Sequence, residues 1–187
     1  TGAQLIFDEI QTGIGRTGTL FAFMQFNVIP DILCTAKAFG GGMPIGAFIS
    51  SKEKMDMLTH DPVLGHITTF GGHPVCCAAA LASLEVLTEQ ENWINEVAEK
   101  AKRFRELLQH TSIVEMRQFG FMMAVELKSE EQVINVINSL LERGIFGFYF
   151  LSCRNAFRLA PPLCITMDEI EWACIQIVEC IAETSGK

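Results

Sequence analysis

Residues 31–47 read DILCTAKAFGGGMPIGA, and the fold class turns on how that run divides. Asp31 to Thr35 is a short, largely apolar run, Lys37 follows it, and three consecutive glycines begin at Gly40. A strand covered on both faces has this composition, since nothing in it alternates. A cation just past such a strand, followed by backbone without side chains, describes the carboxyl end of a strand in an open α/β sheet, where ligands bind. A P-loop is excluded by order. Its glycines precede the lysine and a Ser or Thr follows, whereas here Ala38 follows.

Upstream, Gln4 to Phe7 reads as a second buried strand that ends in a carboxylate, Asp8; Ala47 to Ser50 is a third candidate. The separation of Asp8 from Lys37 suits neighbouring parallel strands joined by a crossover, which predicts a mainly parallel sheet. Carboxylate and amine then face one pocket, either as an ordinary ion pair or as a ligand site. The glycines after Lys37 favour the ligand, because they let backbone and ligand approach closely.

Downstream the period changes. PVCCAAALASLEVL, from Pro74, is helical and Ala-rich, and Ile94, Val97, Ala98, Ala101, Phe104 and Leu108 continue at helical spacing. Strands return at Ile113 to Met116, Phe121 to Leu127 and around Ile145 to Phe150. Ser129 with Gln132 reads as a capping box opening a helix with Val133, Val136, Ile137, Leu140 and Leu141 on one face, closed by Gly144. Thr166 with Glu169 opens the last helix, whose apolar face carries Ile170, Ala173, Cys174, Ile177, Val178 and Ile181. The expected organisation is an α/β part over residues 1–108, connecting helices included, and a small α+β domain over 109–187.

Composition narrows the function classes. A net charge of −8 speaks against a nucleic-acid or anionic-membrane surface, and no apolar run reaches the length of a membrane span. The seven cysteines are odd in number, include no C-x-x-C and sit mostly in apolar runs; they read as buried thiols in a reducing, cytoplasmic compartment. The four histidines show no metal-ligand spacing, so no metal is expected. Gly13, Gly15 and Gly18 spell G-x-G-x-x-G, but Asp8 and Glu9 stand between strand and glycines, where they would repel a dinucleotide pyrophosphate.

Four stretches then decide the family. LIFDEIQTGIGRTG (5–18), DILCTAKAFGGGMPIGA (31–47), HITTFGGHPV (66–75) and RLAPPLCIT (158–166) resemble, in order and spacing, the class III aminotransferases dependent on pyridoxal 5'-phosphate (PLP). That group includes the ornithine, acetylornithine, 4-aminobutyrate and lysine 6-aminotransferases. The resemblance implies the later half of the large domain of the fold-type I PLP-dependent transferases, followed by their C-terminal small domain. It also implies transfer of an amino group, from a donor with a terminal amine to 2-oxoglutarate. Aminomutase and decarboxylase chemistry shares the same motifs, and a degenerate, non-catalytic member is a further alternative.

By the same resemblance Lys37 matches the lysine that forms the Schiff base with the cofactor aldehyde and then shuttles the proton. An amine does this only when unprotonated, and partial burial beside Ala36 and Phe39 is expected to favour that form. Asp8 matches the aspartate paired with the pyridine nitrogen, and Gln11 the glutamine on the ring hydroxyl. Thr69 matches the residue that reaches the phosphate of a cofactor held mainly by the neighbouring subunit, which implies a homodimer with shared sites. Arg158 matches the arginine that grips a substrate carboxylate, a task suited to its planar fork. His73 stands where the family commonly has Asn and is given no role. Family members run substantially longer, so the chain is expected to be a C-terminal portion that is inactive alone.

Overall fold

The computed structural model describes residues 2–63 and 65–185, and it divides into two units between Ile94 and Asn95. In the first, β1 (Ile6–Asp8) and β2 (Ile32–Thr35) run parallel with Asp8 opposite Cys34, and the Glu9 N–H continues the ladder to the Cys34 carbonyl at 2.9 Å. Strand β3 (Ala47–Ser50) flanks β2 on its other side and runs antiparallel. Among the described residues this sheet thus has one parallel and one antiparallel pair. A parallel crossover needs a dozen or more residues. The chain leaving Thr35 instead makes a 3₁₀ turn at Lys37–Gly40 and comes straight back.

Helix α1 (Lys52–Asp56) follows, with the Ser51 hydroxyl accepting the Lys54 N–H. Helix α2 (Pro74–Glu89) starts with proline at its first turn, where the missing N–H costs nothing. It packs against the Lys37–Gly40 turn and buries only Ala80 and Leu87. The strands are accordingly less buried than their composition predicts: Ile6 is 56% and Ile49 51% exposed.

The short α3 (Glu91–Asn95) leads to α4 (Val97–Leu107), which belongs to the second unit. The two compact units thus part ahead of α4, inside the stretch expected to hold the connecting helices. Val97, Ala101 and Phe104 of α4 are buried in the same core as the final helix, α6 (Met167–Thr184), so the helix goes with its core. Between them lie β4 (Glu115–Phe119), β5 (Met122–Glu126), α5 (Glu130–Glu142), β6 (Phe148–Tyr149) and β7 (Ala156–Leu159). The sheet is antiparallel throughout, in the order β4-β5-β7-β6. Met123, Val125, Phe157 and Leu159 join Val133, Val136 and Leu140 of α5 and Ile170, Ile177 and Ile181 of α6 in one core. Fully buried side chains such as Phe121 and Phe157 contribute roughly 1.5–3 kcal/mol each.

The two predicted capping boxes differ. At α6 both halves form: Thr166 Oγ1 accepts the Glu169 N–H at 3.2 Å, and Glu169 Oε2 accepts the Thr166 N–H at 2.8 Å. At α5 Ser129 accepts the Gln132 N–H at 3.2 Å, but the Gln132 side chain donates to Ser185 Oγ instead. Leu141 and Ala98, expected on buried faces, are exposed, and β6 covers only two residues of the run expected there. Of the seven free cysteines only Cys174 and Cys180 are buried, both on α6; burial pushes the Cys174 thiol up to about 12.

Candidate active site

At the carboxyl ends of the two parallel strands the chain places a carboxylate and an amine. Asp8 closes β1, is exposed, and accepts the Ile10 N–H on Oδ1 at 3.0 Å; no other partner holds it among the described residues. This short turn fixes the carboxyl group and leaves its second oxygen available. Lys37 opens the 3₁₀ turn just beyond β2 with φ +52°, a left-handed conformation that costs a non-glycine residue about 1–2 kcal/mol. Strain of this kind concentrates where surrounding structure holds a residue for a purpose.

The first unit's other lysines are engaged. Lys52 pairs with Asp56 at 2.5 Å and Lys54 with Asp31 at 2.7 Å, whereas Lys37 has no ion pair or hydrogen bond among the described residues. The partial burial expected from Ala36 and Phe39 is not found: Lys37 is exposed, because the turn lifts it off the sheet.

Gly41, the second glycine of the run after Lys37, serves the fold. Gly41 has φ +57°, and a Cβ there would lie 2.7 Å from the Ala79 carbonyl of α2. Only glycine lets the turn sit this tightly on the helix, so the close approach is to protein backbone. Two residues before Lys37, the buried Thr35 hydroxyl has no hydrogen-bond partner among the described residues.

The segment after Asp8 carries Gln11, exposed in a turn, and the G-x-G-x-x-G glycines. It opens no α-helix. The N–H groups of Ala22 and Phe23, at the start of the 3₁₀ turn Ala22–Gln25, are taken by the Glu9 carboxylate. A dinucleotide pyrophosphate would need donors of this kind, and here the protein's own anion fills the place. Thr69 lies in an exposed turn beside Gly71, whose N–H donates to the Thr68 carbonyl at 3.2 Å.

Arg158 belongs to the second unit, on β7 between Ala124 of β5 and Phe148 of β6, on the sheet face away from the buried core. Its guanidinium carbon lies 5.8 Å from the Phe148 ring centroid. Arg117, in the same cross-strand row, is held by Glu115 and Glu126 at 2.5 Å each. The Arg117 charge is thereby spent within the sheet, and its guanidinium holds the Glu126 carboxyl below the usual carboxylate range. Asp8, Gln11 and Lys37 thus share one sheet end, while Thr69 and Arg158 stand on other elements.

The model of the aminotransferase class-III family matches residues 1–181. The chain belongs to this family. An ornithine aminotransferase from Toxoplasma gondii, whose active site holds PLP at partial occupancy, is 34% identical with a TM-score of 0.88; the match covers 98% of this chain and 43% of that one. A Bacillus anthracis aminotransferase is 29% identical (TM-score 0.87), covering 97% of this chain and 45% of its own. An ornithine aminotransferase from Plasmodium yoelii is 28% identical (TM-score 0.85), covering 97% and 48%. The class III fold therefore extends over both units, and the chain spans less than half the length of these relatives.

Proposed function

We propose that this chain carries the lysine-bearing half of a PLP-dependent aminotransferase, which moves the amino group of an amino acid with a terminal amine to 2-oxoglutarate. The observation that carries the reading is that a fixed carboxylate, Asp8, and a strained amine without a partner among the described residues, Lys37, stand at the same ends of neighbouring parallel strands. This donor set fits PLP: an amine for its aldehyde and an anion for its basic ring nitrogen. PLP supplies the aldehyde that takes up the amine and the ring that draws electrons from the substrate carbon.

The protein's residues do the rest. With PLP bound, Asp8 would hold a proton on the ring nitrogen, Gln11 would bond the ring hydroxyl, and Lys37 Nζ would anchor the cofactor and then serve as the proton-carrying base. Thr69 reaches the phosphate of a cofactor bound chiefly by a second subunit, so the working form is a homodimer. The terminal-amine donor rests on the ornithine aminotransferases among the relatives. The free thiols support a reducing, cytoplasmic setting.

The test is chemical trapping. Borohydride added to the full-length, PLP-loaded protein is expected to fix the cofactor on the peptide containing Lys37. A label on Lys52 or Lys54 would move the assignment.

Arg158 takes a substrate carboxylate through its fork. Losing a charge-assisted hydrogen bond costs about 1.5–3 kcal/mol, and lysine does not restore the geometry. Arg158→Lys is expected to raise KM for the amino acid and the oxo acid together and to spare a simple amine donor. Equal loss with an amine lacking a carboxylate would mark the residue as structural.

A further inference from the structure

Asp8 and Glu9 are adjacent acids with opposite surroundings. Asp8 is exposed, whereas Glu9 is 2% exposed and its carboxylate takes three protein donors. Oε2 accepts the Thr12 hydroxyl at 2.5 Å and the Ala22 N–H at 3.0 Å; Oε1 accepts the Phe23 N–H at 2.8 Å. Ala22 and Phe23 begin a 3₁₀ turn whose own N-cap, Phe21, offers no side-chain acceptor, so Glu9 caps it from far back in the sequence. The Glu9 backbone is tied as well. Its N–H bonds the Cys34 carbonyl of β2 and its carbonyl accepts the Gly13 N–H, both at 2.9 Å. A Cβ on Gly13 would lie 2.8 Å from that carbonyl oxygen, so glycine is required for the loop to close this tightly.

One residue therefore locks the near and far ends of the segment carrying Gln11 to the strand end carrying Asp8. A buried carboxylate with this many charge-assisted bonds is costly to loosen, because each donor would lose a strong acceptor away from water.

We propose that Glu9 is a positioning residue for the cofactor: it touches no reacting atom and acts by holding Asp8 and Gln11 in place against the pyridine ring. The inference rests on the PLP reading above. Glu9→Gln keeps the size but turns an amide NH₂ toward backbone N–H donors. Thr12→Val removes one donor and leaves the acid, which keeps the test open should Glu9→Gln fold poorly.

Three readouts decide the matter in the full-length protein. Amide hydrogen exchange at Ala22 and Phe23, measured without cofactor, is expected to quicken about tenfold or more in Glu9→Gln, as local opening becomes easier. PLP affinity is expected to fall roughly 10–100-fold, by analogy with outer-shell partners of metal ligands. With it, the pH midpoint of the bound cofactor's visible absorbance should shift. Thr12→Val should move all three the same way by less, and Thr12→Ser should restore them. Unchanged exchange at Ala22 and Phe23 would overturn the proposal. So would faster exchange with affinity and absorbance midpoint as in the wild type, since the clamp would then be architectural only. A wild-type protein that holds no PLP would instead bring down the cofactor reading, and the positioning role with it.

Discussion

Lys37→Ala is expected to remove turnover almost completely while leaving the protein folded. The lysine has two proposed tasks, and alanine can do neither. Loss of proton transfer alone costs about 10²–10⁴ in rate, and loss of the covalent anchor adds to it. The fold should hardly notice. The Lys37 side chain is exposed and has no ion pair or hydrogen bond among the described residues, and substitutions at such positions stay within about 0.5 kcal/mol. Lys37→Gly sharpens the contrast. It relieves the left-handed cost of about 1–2 kcal/mol, against an unfolded-state entropy penalty of about 0.5–1 kcal/mol for glycine. The glycine variant should therefore unfold no earlier than the wild type while being equally inactive. Single-turnover kinetics with an amino donor and thermal unfolding of the same samples check both halves. A small free amine should restore part of the Lys37→Ala rate by replacing the missing base. A rate above about a tenth of the wild type without added amine would remove Lys37 from the proton-transfer role, which accounts for at least a hundredfold.

The helices and their caps were legible because their signals are local. Thr166 and Glu169 lie one turn apart, so a reciprocal cap can be read from spacing, and it forms. Ser129 and Gln132 have the same spacing, but Ser185, far along the chain, claims the Gln132 side chain. Sheet direction was less legible. DILCT is apolar throughout, and such a run carries no sign of whether its neighbour is parallel; the short return to β3 decided it. Strand β7 was not expected at all, since its four residues are interrupted by Arg158 and run on into Pro161 and Pro162.

At the site, the sequence placed Asp8 and Lys37 at one sheet end, and the structure does the same. It also credited the glycines after Lys37 with ligand contact, whereas Gly41 is committed to Ala79 of α2. Glu9 was the residue sequence reasoning left without a role. Two of its partners are backbone N–H groups, which have no letter in a sequence, and they lie beyond the range of any local motif. The nearest available signal was Thr12, three residues on, whose hydroxyl reaches the buried carboxylate.

Asp8→Asn is expected to leave PLP bound and joined to Lys37 but to cost the full-length enzyme orders of magnitude in kcat. The substitution isolates charge from shape. In the wild type Oδ1 accepts the Ile10 N–H at 3.0 Å, and the asparagine carbonyl can keep that bond, so the turn after β1 and the Glu9 ladder contact should survive. What goes is the anion proposed to face the pyridine nitrogen. Its effect is small while the substrate rests in the site and large once negative charge develops on the reacting carbon and needs a protonated ring to accept it. Removing one preorganised electrostatic partner of this kind typically costs about 10²–10³ in kcat, or roughly 2.7–4 kcal/mol. KM should change little, because the contact proposed for the ground-state amino acid, Arg158, is not altered. Asp8→Ala separates the terms further: it loses the Ile10 bond as well as the charge, so it should add a stability loss of about 0.5–1.5 kcal/mol to a similar fall in rate. Steady-state kinetics, with cofactor content measured on the same preparations, read these terms apart. An Asp8→Asn enzyme with unchanged kcat would show that the ring nitrogen needs no counter-anion from β1, and the exposed Asp8 carboxylate would then be only the cap of a turn.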